Sequence, residues 1–150
     1  IDSDGFLKIT DRKKEMFKTS GGKYVAPQIL ENAFKQSRFI EQIMVIGDGE
    51  KMPAAFIQPN FEFVTEWAHR HNNTTFSSNE ELCASKMVID RIQEEIDHCN
   101  EKFGNWEKVK RFELTPDIWS IDAGHLTPTM KLRRKIIKEK YNDLYQKIYG

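Results

Sequence analysis

Apolar positions along this chain alternate with polar ones at two spacings, one suited to strands and one to helices. Residues 5–10 (GFLKIT) predict a short strand after an Asp4-Gly5 turn, and the charged residues 11–14 a connector. The strand pattern resumes at 16–19, and the flexible turn SGGK follows at 20–23. Pro27 suits a first helical position, and Ile29, Leu30, Ala33 and Phe34 give the helix behind it one apolar face. Residues 40–47 and 54–58 are β-rich and joined by an Asp-Gly hairpin connection at 48–51. Asn60 is placed to cap a helix carrying Val64, Trp67 and Ala68. Residues 72–78 are polar and predict a loop. Ser78 and Glu81 spell a capping box. A long helix follows to about Phe103, with Val88, Ile92, Ile96, Cys99 and Phe103 on one stripe; Gly104-Asn105 ends it. A strand is predicted at 109–114, mostly loop at 115–130, and a final helix over 132–148 that buries Ile137, Tyr141, Leu144, Tyr145 and Ile148. The expected fold class is α+β: a small antiparallel sheet of about three strands packed with helices and preceded by a short β-hairpin.

Composition narrows this reading. The chain has 150 residues, enough for one domain with one core. Hydrophobic residues make up 39% and charged residues 31%, which fits a soluble globular protein. No apolar run approaches the roughly 18 residues of a membrane span, and no secretory signal is visible. The sequence opens without a Met, so a piece of a longer protein is expected. Cys83 and Cys99 have neither CxxC nor metal spacing, which predicts free thiols that pack as small hydrophobes in a reducing compartment.

The formal net charge is zero, yet charge is segregated. Residues 8–23 carry six Lys/Arg and two acids, residues 131–140 carry six Lys/Arg and one acid, and residues 60–105 carry nine acids against four bases. Basic ends of this kind suit an anionic ligand such as a nucleotide or coenzyme A, or simply face solvent. Pro128 disfavours helix before it, so Lys131 is expected on a loop at the entry to the last helix. A long cation there can reach a neighbouring domain. Gly21-Gly22-Lys23 is not a phosphate-binding P-loop, because it lacks the spaced glycine and the following Ser/Thr. His69 and His71 point to different helix faces, and Asp122 and His125 form no triad, so no metal site is expected in this chain.

Two segments carry a resemblance. DGFLKITDRKK at 4–14, continued by KTSGGKYVAP at 18–27 and Glu31, closely resembles the hinge motif of the adenylate-forming superfamily of acyl-CoA synthetases, adenylation domains and luciferases. LTPTMKLRR at 126–134 resembles that superfamily's C-terminal lysine motif. The motifs stand in the family's order, and the resemblance covers nearly the whole chain as the small C-terminal domain. The variants look most like the long-chain fatty acid–CoA ligase branch.

This resemblance implies an AMP-forming acid–thiol ligase as the parent: a fatty acid carboxylate attacks the α-phosphate of ATP, and the thiol of coenzyme A then displaces AMP. Residues 1–14 would be the hinge and the end of the preceding subdomain. Residues 15–150 would be the mobile domain, with a helical insertion at about 60–105. Lys131 matches the lysine used in adenylation and would contact the nucleotide; Lys18 matches a lysine of the thioester pose. Arg12 and Lys14 match the hinge, Arg12 also orienting the nucleotide side. Gly21, Gly22 and Lys23 match the loop beside coenzyme A. ATP, coenzyme A and Mg2+ would serve the full-length enzyme, none being bound by this stretch alone, which is expected to be inactive. The implied partner is the N-terminal domain of the same polypeptide, with fatty acid, ATP and coenzyme A as substrates and no nucleic acid. The location would be cytoplasmic, with peripheral membrane contact of the parent left open. Met130 and Asp11 depart from the family, since many relatives have glycine at both positions. The alternative is a basic module that binds nucleic acid or a membrane surface through residues 131–140, without catalysis.

Overall fold

The structure is a computed structural model that describes residues 16–104 and 107–149. The strand expected at 5–10 and the connector at 11–14, with Arg12 and Lys14, lie outside the described residues. The described elements are β1 (Phe17–Lys18), β2 (Tyr24–Val25), α1 (Pro27–Phe34), β3 (Ile40–Ile46), β4 (Ala54–Pro59), α2 (Phe61–Asn72), α3 (Asn79–Ala84), α4 (Lys86–Asn100), β5 (Arg111–Leu114), α5 (Arg134–Lys140) and α6 (Asn142–Tyr149).

β1 and β2 form the expected antiparallel hairpin, and a three-stranded sheet has the order β3-β4-β5. β3 and β4 are antiparallel, with Ile43 opposite Ile57 and Val45 opposite Ala55. β5 pairs with β4 in parallel, Ala54 opposite Arg111. The α+β class is therefore as expected, but the sheet is mixed rather than wholly antiparallel. The reason is the helical excursion α2–α4: a parallel neighbour requires a crossover of a dozen residues or more, and these helices provide it.

β4 lies in the middle and is buried along its whole length. Both faces of the sheet are covered at its centre, so β4 and residues 43–46 of β3 are continuous apolar runs, whereas the edge strand β5 alternates as RFEL. Ile43, Val45, Ala55 and Ile57 face Leu30, Phe34, Val64, Ile92 and Ile96 of α1, α2 and α4. The intervening Met44, Ile46, Ala54 and Phe56 face Trp119, Ile137, Tyr141 and Ile148. The two-residue period of a strand thus divides the core into two layers.

Two predicted helices are interrupted. The helix expected from about 79 to 103 breaks at Ser85, which is extended at φ −74°, ψ 124°. Leu82 and Val88 are both buried, but on an unbroken helix residues six apart lie about 120° apart around the axis. The break lets both turn inward. The last helix breaks at Tyr141 (φ −107°, ψ 31°), where the tyrosine ring turns into an aromatic stack. The Asn60 cap forms, accepting from Phe63 N–H at 3.1 Å. The capping box is shifted in one arm. Ser78 Oγ accepts from Glu81 N–H, but Glu81 Oε1 accepts from Ser77 N–H instead of Ser78 N–H. Ile29 is 64% exposed, so the apolar face of α1 excludes it and takes in Glu31.

Candidate functional site

The Lys131 loop is a tight hairpin. Leu126 and Leu132 form an antiparallel bridge at its base, and Thr127 N–H donates to Lys131 O at 2.8 Å. Met130 N–H donates to Thr127 O at 2.8 Å, closing a turn with Pro128 at its second position. Proline favours that position because its ring presets φ. Met130 follows in the left-handed region at φ 65°, as the last residue of a three-residue hairpin loop requires. Glycine would take this conformation without strain. Thr127 Oγ1 accepts from Lys131 N–H at 3.1 Å and holds the lysine backbone. The Lys131 side chain is exposed and makes no ion pair among the described residues. It borders a depression of about 390 Å³ with Gln28, Glu31, Lys35 and Gln42.

A buried ion pair anchors the loop to the sheet. Glu31 is 4% exposed. Arg134, three residues beyond Lys131, donates to both its oxygens at 2.6 and 2.7 Å. Glu31 Oε2 also accepts from Val45 N–H at 2.8 Å, on the free edge of β3. One carboxylate thus blunts a sheet edge and fixes the start of α5. Sequence reasoning included both residues in motifs but gave neither this role. The available signal was an acid placed directly beside the apolar stripe of α1.

Lys18, Gly21, Gly22 and Lys23 lie together on the β1–β2 hairpin. Thr19 N–H donates to Lys23 O, and Gly22 N–H to Thr19 O, each at 2.9 Å. Gly22 has φ +85°, whereas Gly21 has open space around it. Lys18 Nζ sits 5.7 Å from the centroid of the Tyr24 ring, a cation–π contact at the surface. The hairpin rests on the turn between β3 and β4 through Ser20 N–H to Glu50 O at 2.8 Å and Gly49 N–H to Lys18 O at 2.9 Å. The Tyr145 hydroxyl of α6 donates to the Glu50 carboxylate. Burial, with Glu50 adding to it, pushes that hydroxyl up to about 12.

The predicted site residues therefore form two groups. Lys131 stands on its own loop, and the four hairpin residues stand apart from it. Arg134 lies between them, bordering both the depression beside Lys131 and an apolar one lined by Phe17, Met44 and Ile46. The basic stretch 131–140 is not one open face: Arg134 is held by Glu31, and Lys138 Nζ lies 4.8 Å from the Tyr145 ring centroid. Among the described residues no group of three or more His, Cys, Asp or Glu is placed to hold a metal ion, and no helix is long and apolar enough to cross a membrane. Both cysteines are free thiols, and burial pushes Cys83 up to about 12, away from thiolate chemistry.

Comparison with known proteins places this geometry in a family. Residues 15–150 match the AMP-binding enzyme C-terminal domain. The chain is 36% identical over 150 residues to the long-chain-fatty-acid–CoA ligase FadD15 of Mycobacterium tuberculosis, covering all of this chain and 25% of that protein. It is also 36% identical to the human long-chain-fatty-acid–CoA ligase 1, covering 98% of this chain and 21% of that protein. The chain thus spans about a quarter or less of these relatives. The adenylation domain of a carboxylate reductase from Mycobacterium chelonae shares the fold, with a TM-score of 0.73 at 21% identity, over 91% of this chain and 20% of that one. The chain belongs to the family of AMP-binding enzyme C-terminal domains.

Proposed function

We propose that this chain is the mobile C-terminal domain of an AMP-forming long-chain fatty acid–CoA ligase and that Lys131 is its adenylation residue. In the first half-reaction a fatty acid carboxylate oxygen bonds to the α-phosphorus of ATP, and pyrophosphate leaves. Carboxylate and triphosphate repel one another. An ammonium between them offsets that repulsion and stabilises the charge that develops at phosphorus. A lysine suits the task as a compact charge on a flexible stem. In the second half-reaction the coenzyme A sulfur attacks the acyl carbon and AMP leaves.

The domain would present Lys131 for the first step and the Lys18–Lys23 hairpin for the second, turning about Arg12 and Lys14. Placement of the two groups on separate loops supports this reading. Residues 15–150 would be the moving body, with the helices at about 60–105 as an insertion. The nucleotide pocket, magnesium site and fatty acid tunnel would belong to the N-terminal part of a cytoplasmic parent. The observation that carries the reading is Lys131 itself, an exposed ammonium with no ion pair among the described residues, on a loop whose backbone is fixed by hydrogen bonds. The test is pyrophosphate release and thioester formation by the full-length polypeptide and its Lys131→Ala variant. The 150-residue chain alone should release no pyrophosphate.

A further inference from the structure

The Lys131 loop closes at its base on His125, whose carbonyl accepts from Arg133 N–H at 2.8 Å. The His125 side chain points away from solvent and is 2% exposed. The rings of Trp119 and Tyr141 lie nearly parallel to it, with centroids 5.6 and 6.1 Å away. Such stacking fixes a ring plane but not the rotation within it. Hydrogen bonds supply that second constraint.

Nδ1 of His125 lies 3.3 Å from the backbone nitrogen of Ser120. A backbone N–H only donates, so Nδ1 holds a lone pair and the neutral ring carries its proton on Nε2. Nε2 lies 3.1 Å from the Tyr141 hydroxyl and donates to it. The hydroxyl in turn donates to Asp117 Oδ2 at 2.9 Å. Each bond in the series has one permitted direction, and the series ends on a carboxylate. Protonating Nδ1 would set two donors against each other. Burial, with Lys140 adding to it, holds the imidazole below its usual pKa against the opposing pull of Asp117, which keeps the ring neutral.

The bonded series joins three separate segments: the base of the Lys131 loop, the joint between α5 and α6, and the stretch that follows β5. α5 begins immediately after the loop and ends at Tyr141. The loop is therefore triangulated from the Glu31–Arg134 pair at one end of α5 and from Tyr141 at the other.

We propose that His125 is a positioning residue for Lys131, fixing the loop through its bonds to Ser120 and Tyr141; the consequence for catalysis rests on the adenylation role given to Lys131 above. His125 is too deeply buried to touch a substrate. It acts by setting where the lysine backbone sits.

The test has two arms. In the 150-residue chain, hydrogen exchange is followed for the Thr127, Met130 and Arg133 amides, each of which donates within the loop or at its base. His125→Phe keeps an aromatic ring in the stack and removes both nitrogen bonds. It should speed those amides roughly tenfold and leave the β3–β4 amides unchanged. Tyr141→Phe removes one oxygen with the imidazole intact and should act in the same direction, which keeps the test decisive if the histidine variant fails to fold. Loop amides at the wild-type rate, or an equal acceleration of the β3–β4 amides, would overturn the proposal. In the full-length enzyme, either variant should lower kcat for adenylation roughly tenfold at unchanged KM. It should spare thioester formation from supplied acyl-adenylate and cost nothing further in a Lys131→Ala background. Equal loss in both half-reactions would also overturn it. If Lys131→Ala itself adenylates normally, the adenylation reading fails while the exchange result still decides the positioning role.

Discussion

Side-chain bonds reinforce the backbone hydrogen bonds of the Lys131 loop, whereas those described for the Lys18–Lys23 hairpin run mostly through its backbone. Thr127, His125, Tyr141, Glu31 and Arg134 all spend polar groups on the first. The second depends on turn hydrogen bonds, a glycine at positive φ, and the neighbouring β3–β4 turn. The difference matches the two tasks proposed for them. A point charge acts only if its position is fixed, because electrostatic stabilisation falls away when donors must reorganise. A loop beside a long flexible arm needs close backbone approach, which glycine permits.

The largest effect that would break this contrast comes from the buried ion pair. Glu31→Ala removes the carboxylate to which the half-buried Arg134 and the Val45 N–H both donate. Urea denaturation of the 150-residue chain should show a loss of about 3 kcal/mol, the lower end for a broken buried pair because Arg134 keeps some access to water. A loss below about 1 kcal/mol would mean that the clasp is no anchor. The hairpin should respond to backbone chemistry instead. Gly22→Ala forces a side chain into the left-handed region and should cost about 1–2 kcal/mol, while Gly21→Ala, with open space around it, should stay within about 0.5 kcal/mol. Equal costs at both glycines would remove the conformational explanation. Met130→Gly should be the smallest change. It relieves a left-handed residue but frees the unfolded chain by a similar amount, for a net shift within about 0.5 kcal/mol in the same assay.

Much of the fold was legible because its signals are local. Pro27 at the start of α1, the Asn60 cap and the apolar runs of β3 and β4 each report on their own few residues. The mixed sheet was not legible, because the direction of β5 depends on where three helices return the chain. The breaks at Ser85 and Tyr141 were missed for a related reason. Both follow from contacts made elsewhere, with Leu82 and Val88 competing for one core and Tyr141 bonded to His125 and Asp117. For the site, the motif pointed to Lys131 and to a departure from glycine at Met130, whose φ is 65°. His125 was read only as no part of a triad, because a lone histidine on a loop carries no spacing signal. Its hydrogen-bond partners lie five residues before it and sixteen after it along the chain.

The central claim is that Lys131 serves one half-reaction and not the other. The direct measurement is a paired assay of full-length Lys131→Ala: pyrophosphate release from ATP and fatty acid, and thioester formation from supplied acyl-adenylate and coenzyme A. The expected result is a loss of roughly 100-fold or more in the first with the second near wild type. Wild-type pyrophosphate release, or an equal loss in both, would contradict the account.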